Sequence, residues 1–338
     1  MEENKKYTAQ DYKSDQYVRW CPGCGDHAIV NALQKAMAEV GVPPHQTAVI
    51  SGIGCSSRLP YYMNTYGFHT IPGRGGAIAS GVKMANPDLT VWQVSGDGDC
   101  LAIGGNHFIH EIRRNMDINI LLMNNKIYGL TKGQYSPTTD RGSVTKTSPY
   151  GTVEDPFIPA ELVFGARGTF FARSLDVEMA TTVEILTAAA HHKGASVCEV
   201  LQNCVIFNNN IHAHVADKEV RADRTITLRH GEKMIFGKEK NRGIVLDGYL
   251  LKAVTIGEDG YTMDDILVHD AKNPNFVMHQ MLAMMDGHDL PLALGVIRDV
   301  DAPSYTEELT RQVEEVKAKK NFKSLREYIL SGDTWEVK

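Results

Sequence analysis

The sequence contains no apolar stretch approaching the roughly 18 residues that a membrane-spanning helix needs. It has no internal repeat and no low-complexity tract, so a solenoid or a fibrous protein is excluded. Positive charge is not in excess. Acidic residues number 41 against 35 basic ones, for a formal charge of −6, which argues against nucleic acid as the main partner. The first residues, MEENKKYTAQDYKSD, are polar and lack the apolar core of a signal peptide, so a cytoplasmic protein is expected. There, six cysteines read as metal ligands or reactive thiols before disulfides. What remains is ordinary: 338 residues, 43% hydrophobic and 22% charged, enough for a large globular core in one or two domains.

The chain is organised around Ser95 to Gln134. This stretch opens with the glycine-rich turn GDGD, directly after the apolar run Val91-Trp92-Gln93-Val94. It closes with NNKIYG, directly after the apolar run Ile118 to Met123. Between them, Leu101 to Asn115 has apolar residues at helical spacing. The pattern predicts a strand, a crossover helix and a second, parallel strand, with both loops at the carboxyl edge where open α/β sheets bind ligands. Asp97 and Asn125 then meet at one spot, while Gly96 and Gly98 let phosphate oxygens approach backbone N–H groups. Hard oxygen ligands beside a phosphate suit Mg²⁺.

GDGD followed at this distance by NN resembles the thiamine diphosphate motif. The longer string NNKIYGLTKGQ resembles the β subunits of the 2-oxoacid:ferredoxin oxidoreductases. The resemblance implies an α/β, thiamine-diphosphate-binding fold, a mostly parallel sheet flanked by helices, with a C-terminal extension. It implies Mg²⁺ held by Asp97, Asn125 and the backbone carbonyl of Ile127. It also implies cofactor contacts from Cys55, Ser56, Gly96, Asp97, Gly98, Asp99, Asn125, Ile127, Gly129, Leu130 and Thr131.

Cys21 and Cys24 lie in WCPGCG, a C-x-x-C whose proline and glycine bend the backbone so that two thiolates converge. Cys55 lies in the loop 52–58, after an expected strand Ala48 to Ser51. Cys204 follows an expected strand Ser196 to Val200. Four loop cysteines can hold a [4Fe–4S] cluster or a structural zinc, and spacing alone does not separate the two. WCPGCG, GIGCSS and LQNCVIFN each resemble cluster-ligand segments of the same family. That implies one [4Fe–4S] cluster on Cys21, Cys24, Cys55 and Cys204. Cys198, inside an apolar strand, reads as a core residue, and Cys100 as a packing residue.

Residues 1–20 read as an N-terminal arm, 21–205 as the cofactor-binding domain and 206–338 as an extension that packs on it and on a partner. Asp26 is expected to cap a helix from His27 to Glu39. The stretch 59–75 reads as a loop, and Gly75 to Met84 as a helix. Arg58, His69 and Leu130 are the catalytic candidates. After Gln134 a long polar connection reads as a cover over the site. Thr169 to Arg173 is an expected strand, and Met179 to His191 an expected helix. Helices are also expected at Thr306 to Ala318 and Ser324 to Leu330, with the tail wrapping a partner subunit. His212 and His214 have no evident third metal ligand. The basic stretch 218–242 reads as a solvated surface before a ferredoxin landing site.

Between Glu39 and Glu111 there is no glutamate, whereas thiamine enzymes use one to activate the cofactor. The resemblance therefore implies an α (or fused γα) subunit that supplies this glutamate and the coenzyme A contacts, in an α2β2 assembly. The implied reaction is oxidative decarboxylation of a 2-oxo acid, or the reverse reductive carboxylation, with ferredoxin as electron partner. Arg58, whose guanidinium can grip a distal carboxylate, favours 2-oxoglutarate over pyruvate or branched acids. Two other classes stay open: a non-catalytic zinc or iron–sulfur electron-transfer module, and a cluster-free thiamine decarboxylase or synthase half-enzyme.

Overall fold

The structure, a computed structural model, describes residues 6–319 and 322–337. The first five residues of the expected arm lie outside them. Its centre is an eight-stranded sheet built from β1 (Thr47–Ser51), β2 (Tyr66–His69), β3 (Thr90–Gly96), β4 (Asn119–Asn124), β5 (Phe170–Leu175), β6 (Ser196–Leu201), β7 (Thr225–Leu228) and a late strand, Leu292–Asp299. The last is β11, after three short strands β8 (Ile235–Phe236), β9 (Arg242–Asp247) and β10 (Leu250–Thr255) that form a separate antiparallel sheet. The order across the large sheet is β2-β1-β3-β4-β6-β5-β11-β7. Every pair is parallel except β11 against β5.

Parallel strands covered on both faces read as continuous apolar runs, and β4 shows why. Ile120 and Leu122 point into one core with Phe108, Ile112 and Phe164. Leu121 and Met123 point into the other with Ile29, Leu33 and Leu186. On that second face lie α1 (Asp26–Val40) and α5 (Met179–His191). The first face carries α2 (Gly75–Ala85), α3 (Gly105–Arg113) and α4 (Pro159–Gly165). Two short helices, α6 (Ala213–Ala216) and α7 (Lys218–Arg224), follow Cys204. Further on come α8 (Val277–Ala283), α9 (Tyr305–Lys319) and α10 (Leu325–Ile329). Among the described residues no helix is long and apolar enough to cross a membrane.

Most expected elements are present within a residue or two, and four features differ. Asp26 is the first residue of α1, not its cap. Gly25 occupies that position, and among the described residues neither Asp26 oxygen has a hydrogen-bond partner. The stretch 59–75 contains β2, which pairs with β1 at the sheet margin with all four residues exposed, so no apolar alternation announces it. The crossover segment begins as a π-helical turn, Gly98–Ile103, before α3. Finally, β7 and β11 place parts of the C-terminal region within the large sheet. At the other end, Tyr12 of the arm is fully buried and donates its hydroxyl to the Val42 carbonyl at 2.5 Å.

Glu111 of α3 is buried against the Gln93 amide, and burial pushes its carboxyl up to about 8. Because the folded value lies above the unfolded one, stability falls as pH rises from the ordinary carboxyl range toward 8. Glu111→Gln is expected to be more stable than the parent at pH 8, by on the order of 1 kcal/mol or more, with the difference vanishing near pH 4. Urea unfolding midpoints at the two pH values check this.

Candidate active site

Because β1, β3, β4 and β6 run in one direction, the loops leaving them emerge at a single edge. The registers align the exits: Ser51 pairs with Val94, Gly96 with Met123 and Asn124 with Leu201. The residues that follow are Cys55, Asp97, Asn125 and Cys204. Two cavities open there.

The first, about 270 Å³, is lined by Cys55, Ser56, Gly96, Asp97, Gly98, Asp99, Asn125, Ile127, Gly129, Leu130 and Thr131. The structure thus brings the expected cofactor contacts to one place. Asp97 follows β3, at the start of the π-helical turn, and is almost fully buried. The Ser136 and Thr138 hydroxyls both donate to its Oδ2, at 2.5 and 2.6 Å. Burial raises the Asp97 carboxyl above its ordinary range, while these two hydroxyls act against the rise. Asn125 Oδ1 accepts from Ile127 N–H at 3.1 Å, and the Ile127 carbonyl accepts no hydrogen bond among the described residues. Lys126 between them adopts φ 55°, a left-handed turn closed by Lys126 Nζ on Asp140 at 2.7 Å. Asp99, though it lines the same cavity, has both oxygens engaged. Oδ1 accepts from Gly73 N–H at 2.7 Å and Oδ2 from the Ser95 hydroxyl at 2.6 Å. It ties the 70–74 loop to the GDGD turn.

The second cavity, about 150 Å³, is lined by all four expected cysteines, Cys21, Cys24, Cys55 and Cys204, together with Trp20, Arg58, Gly129 and Leu130. Local contacts converge them. Cys24 N–H donates to the Cys21 carbonyl at 3.1 Å, and Gly25 N–H to the Asn203 carbonyl at 3.2 Å. The Trp20 indole N–H donates to the Cys55 carbonyl at 2.7 Å. All four are free thiols. Burial, then the carboxyl of Asp26 and neighbouring sulfurs, push Cys55 up to about 11 and Cys24 higher. Among the described residues no three His, Cys, Asp or Glu side chains are grouped around one ion position. Cys100 and Cys198 are buried away from this cavity.

Cys55, Gly129 and Leu130 line both cavities, so the two share a wall. Arg58 belongs to the thiol side, and no ion-pair partner engages its guanidinium among the described residues. His69 is not brought to either cavity. It ends β2 at the exposed sheet margin, its ring 6.0 Å from that of Tyr61. His212 is buried with Nε2 on the Asn124 carbonyl, and His214 stacks on His288. Sequence reasoning missed Ser136, Thr138, Asp26, Tyr128 and Gln202. For Ser136 and Thr138 the signal was their place, YSPTT, directly after the NNKIYGLTKGQ string.

Residues 52–200 match the family described as thiamine pyrophosphate enzyme, C-terminal TPP binding domain. The chain is 44% identical over 331 residues to 2-oxoglutarate oxidoreductase subunit KorB of Mycobacterium tuberculosis, covering 97% of this chain and 88% of that one. It is 49% identical over 198 residues to the β subunit of 2-oxoacid:ferredoxin oxidoreductase 1 of Aeropyrum pernix, covering 59% and 62% of the two chains. Among solved structures it resembles the 2-oxoglutarate:ferredoxin oxidoreductase of Magnetococcus marinus, with 2-oxoglutarate, coenzyme A and succinyl-CoA bound there. The TM-score is 0.77 and the identity 30%, over 97% of this chain and 96% of that one.

A methyl group on Gly98 would overlap the Tyr128 ring, whose hydroxyl donates to the Gly98 carbonyl at 2.8 Å. Gly98→Ala is therefore expected to displace Tyr128 and weaken thiamine diphosphate binding by roughly tenfold or more, with far-UV circular dichroism unchanged. Parent-like affinity by titration calorimetry would contradict it.

Proposed function

We propose that this chain, which belongs to the β subunits of the 2-oxoacid:ferredoxin oxidoreductases, converts 2-oxoglutarate and coenzyme A to succinyl-CoA and CO₂ together with a partner subunit, or runs the reverse reaction. Two electrons leave, one at a time, through a [4Fe–4S] cluster to ferredoxin. The observation that carries this reading is the shared wall: the cavity holding Asp97 and the cavity holding four thiols are separated by Cys55, Gly129 and Leu130.

The residues fit the groups that the reading requires. Asp97, Asn125 Oδ1 and the unengaged Ile127 carbonyl are three oxygen donors on one cavity, suited to Mg²⁺ on a diphosphate. Ser136 and Thr138 hold Asp97 by one oxygen and so fix which way the carboxylate faces. When bound, thiamine diphosphate supplies the carbon that adds to the 2-oxo group and takes up the electron pair left by departing CO₂. For the thiols, a zinc ion about 2.3 Å from four sulfurs would draw them to a point. The open cavity they surround supports the larger cluster.

No glutamate lines the Asp97 cavity. Glu111 is buried among α2, α3 and β3, and Glu199 lines a separate cavity. This supports an α subunit that brings the activating glutamate; the same subunit is proposed to bring the coenzyme A contacts, in an α2β2 assembly. Arg58, beside Leu130 and Cys55 and without an ion-pair partner among the described residues, supports a substrate with a second carboxylate.

Anaerobic analysis of iron, sulfide and thiamine tests the reading. Cys204→Ala should lose cluster iron and electron transfer, whereas Cys198→Ala should keep both. The opposite pattern would move the ligand set. In the assembled enzyme, Arg58→Ala should lower kcat/KM for 2-oxoglutarate by roughly ten- to a few-hundred-fold and change pyruvate turnover far less. Equal losses on both acids would remove Arg58 from substrate selection.

A further inference from the structure

The residue after β6, Gln202, is about 1% exposed and lines the Asp97 cavity. Its backbone N–H donates to the Asn124 carbonyl at 2.9 Å, continuing the pairing of β6 with β4. Its side chain reaches both centres. Oε1 accepts from Asn125 Nδ2 at 2.8 Å. Nε2 donates to the Asn203 carbonyl at 2.5 Å and to Cys24 Sγ at 3.3 Å. With a donor on the oxygen and two acceptors on the nitrogen, the amide has one satisfied orientation. Taking the Asn125 amide nitrogen also turns Asn125 Oδ1 toward the Ile127 turn, where it accepts the Ile127 N–H.

The approach to Cys24 depends on a glycine. A Cβ on Gly25 would stand 2.9 Å from Gln202 Cγ and would overlap the Asp176 carboxylate. That carboxylate accepts Asn203 N–H at 2.7 Å and so holds the chain that carries Gln202. Gly25 N–H in turn donates to the Asn203 carbonyl at 3.2 Å. The C-x-x-C turn and the end of β6 are therefore clasped together with the Gln202 amide between them.

We infer that Gln202 is a positioning residue that joins the diphosphate end of the cofactor site to the thiol centre through two hydrogen bonds, and thereby raises the cluster's reduction potential. The inference rests on the iron–sulfur and Mg²⁺ assignments proposed above. Hydrogen bonds donated to cluster sulfurs stabilise the more negative, reduced state. The donor here is the same amide whose oxygen orients a metal ligand. An ion drawing on Asn125 Oδ1 polarises Asn125 Nδ2–H, and through Gln202 strengthens the bond to Cys24. Filling the cofactor site therefore makes the cluster a better electron acceptor.

Two variants separate the bonds. Gln202→Glu keeps an oxygen for Asn125 and removes the N–H from the sulfur; Gln202→Met removes both. In the assembled enzyme, both should lower the cluster midpoint potential, read by EPR-monitored redox titration, with iron and sulfide content unchanged. Only Gln202→Met should weaken thiamine diphosphate binding, by roughly three- to tenfold. In the parent, the midpoint should rise when thiamine diphosphate and Mg²⁺ are added, and in Gln202→Met it should not. A parent without cluster iron would overturn the iron–sulfur reading itself. Unchanged midpoints in iron-replete variants would overturn only the role of Gln202. Loss of iron from both variants would also overturn it, by making Gln202 a support for the cysteines alone.

Discussion

The site depends on strand direction. Four neighbouring strands run parallel, and a parallel pair can only be joined by a crossover that returns the chain to the starting edge. Each exit loop is thereby delivered to the opposite edge with no further instruction. Cys55, Asp97, Asn125 and Cys204 are far apart in the chain and lie on four consecutive loops of one row. Reversing any one of these strands would send its ligand to the far side of the sheet. The shared wall of the two cavities follows from the same fact, because β1 and β4 flank β3, and β6 lies next to β4.

Once gathered and buried, the acidic groups and thiols of this region resist ionisation. Asp26, Asp97, Cys24 and Cys55 are all shifted toward their neutral forms, with burial the largest cause in each case. Both Asp26 oxygens are without a hydrogen-bond partner among the described residues. A buried set of anionic ligands with little compensating positive charge is costly by itself and suits a cationic occupant, since a bound metal reverses the local preference. The hydroxyls on Asp97 and the amide of Gln202 serve a different end. They leave the charge of the site unchanged and fix the direction in which each ligand points.

What was legible in the sequence was local. GDGD and NN sit at the ends of apolar runs, and the Cys55 and Cys204 segments sit just beyond two others, so strand-then-loop order alone placed these four at one edge; WCPGCG follows no such run. The contacts among them were not legible. Ser136 and Thr138 reach Asp97 only because the long connection after Gln134 folds back over it, and nothing in YSPTT states that path. Gln202 looks like a strand-end polar residue until the C-x-x-C turn is laid against the end of β6. His69 illustrates the converse case. It was a catalytic candidate in an expected loop, but the edge strand β2, with four exposed residues and no alternation, carries it to the margin. Strand β11 carried no local signal that tied it to the sheet.

That late strand lies between β5 and β7, so completion of the sheet waits on the end of the chain. During synthesis, residues 21–204 can assemble six strands and present every ligand loop before Leu292 is made. Throughout that interval the free side of β5 is an unpaired edge, open to any extended segment that meets it. The antiparallel insertion of Leu292–Asp299 closes it. A nascent chain therefore has its ligands before it is protected, and the time from translation of Leu201 to that of Leu292 is the interval in which a ribosome-associated holdase has the most to cover.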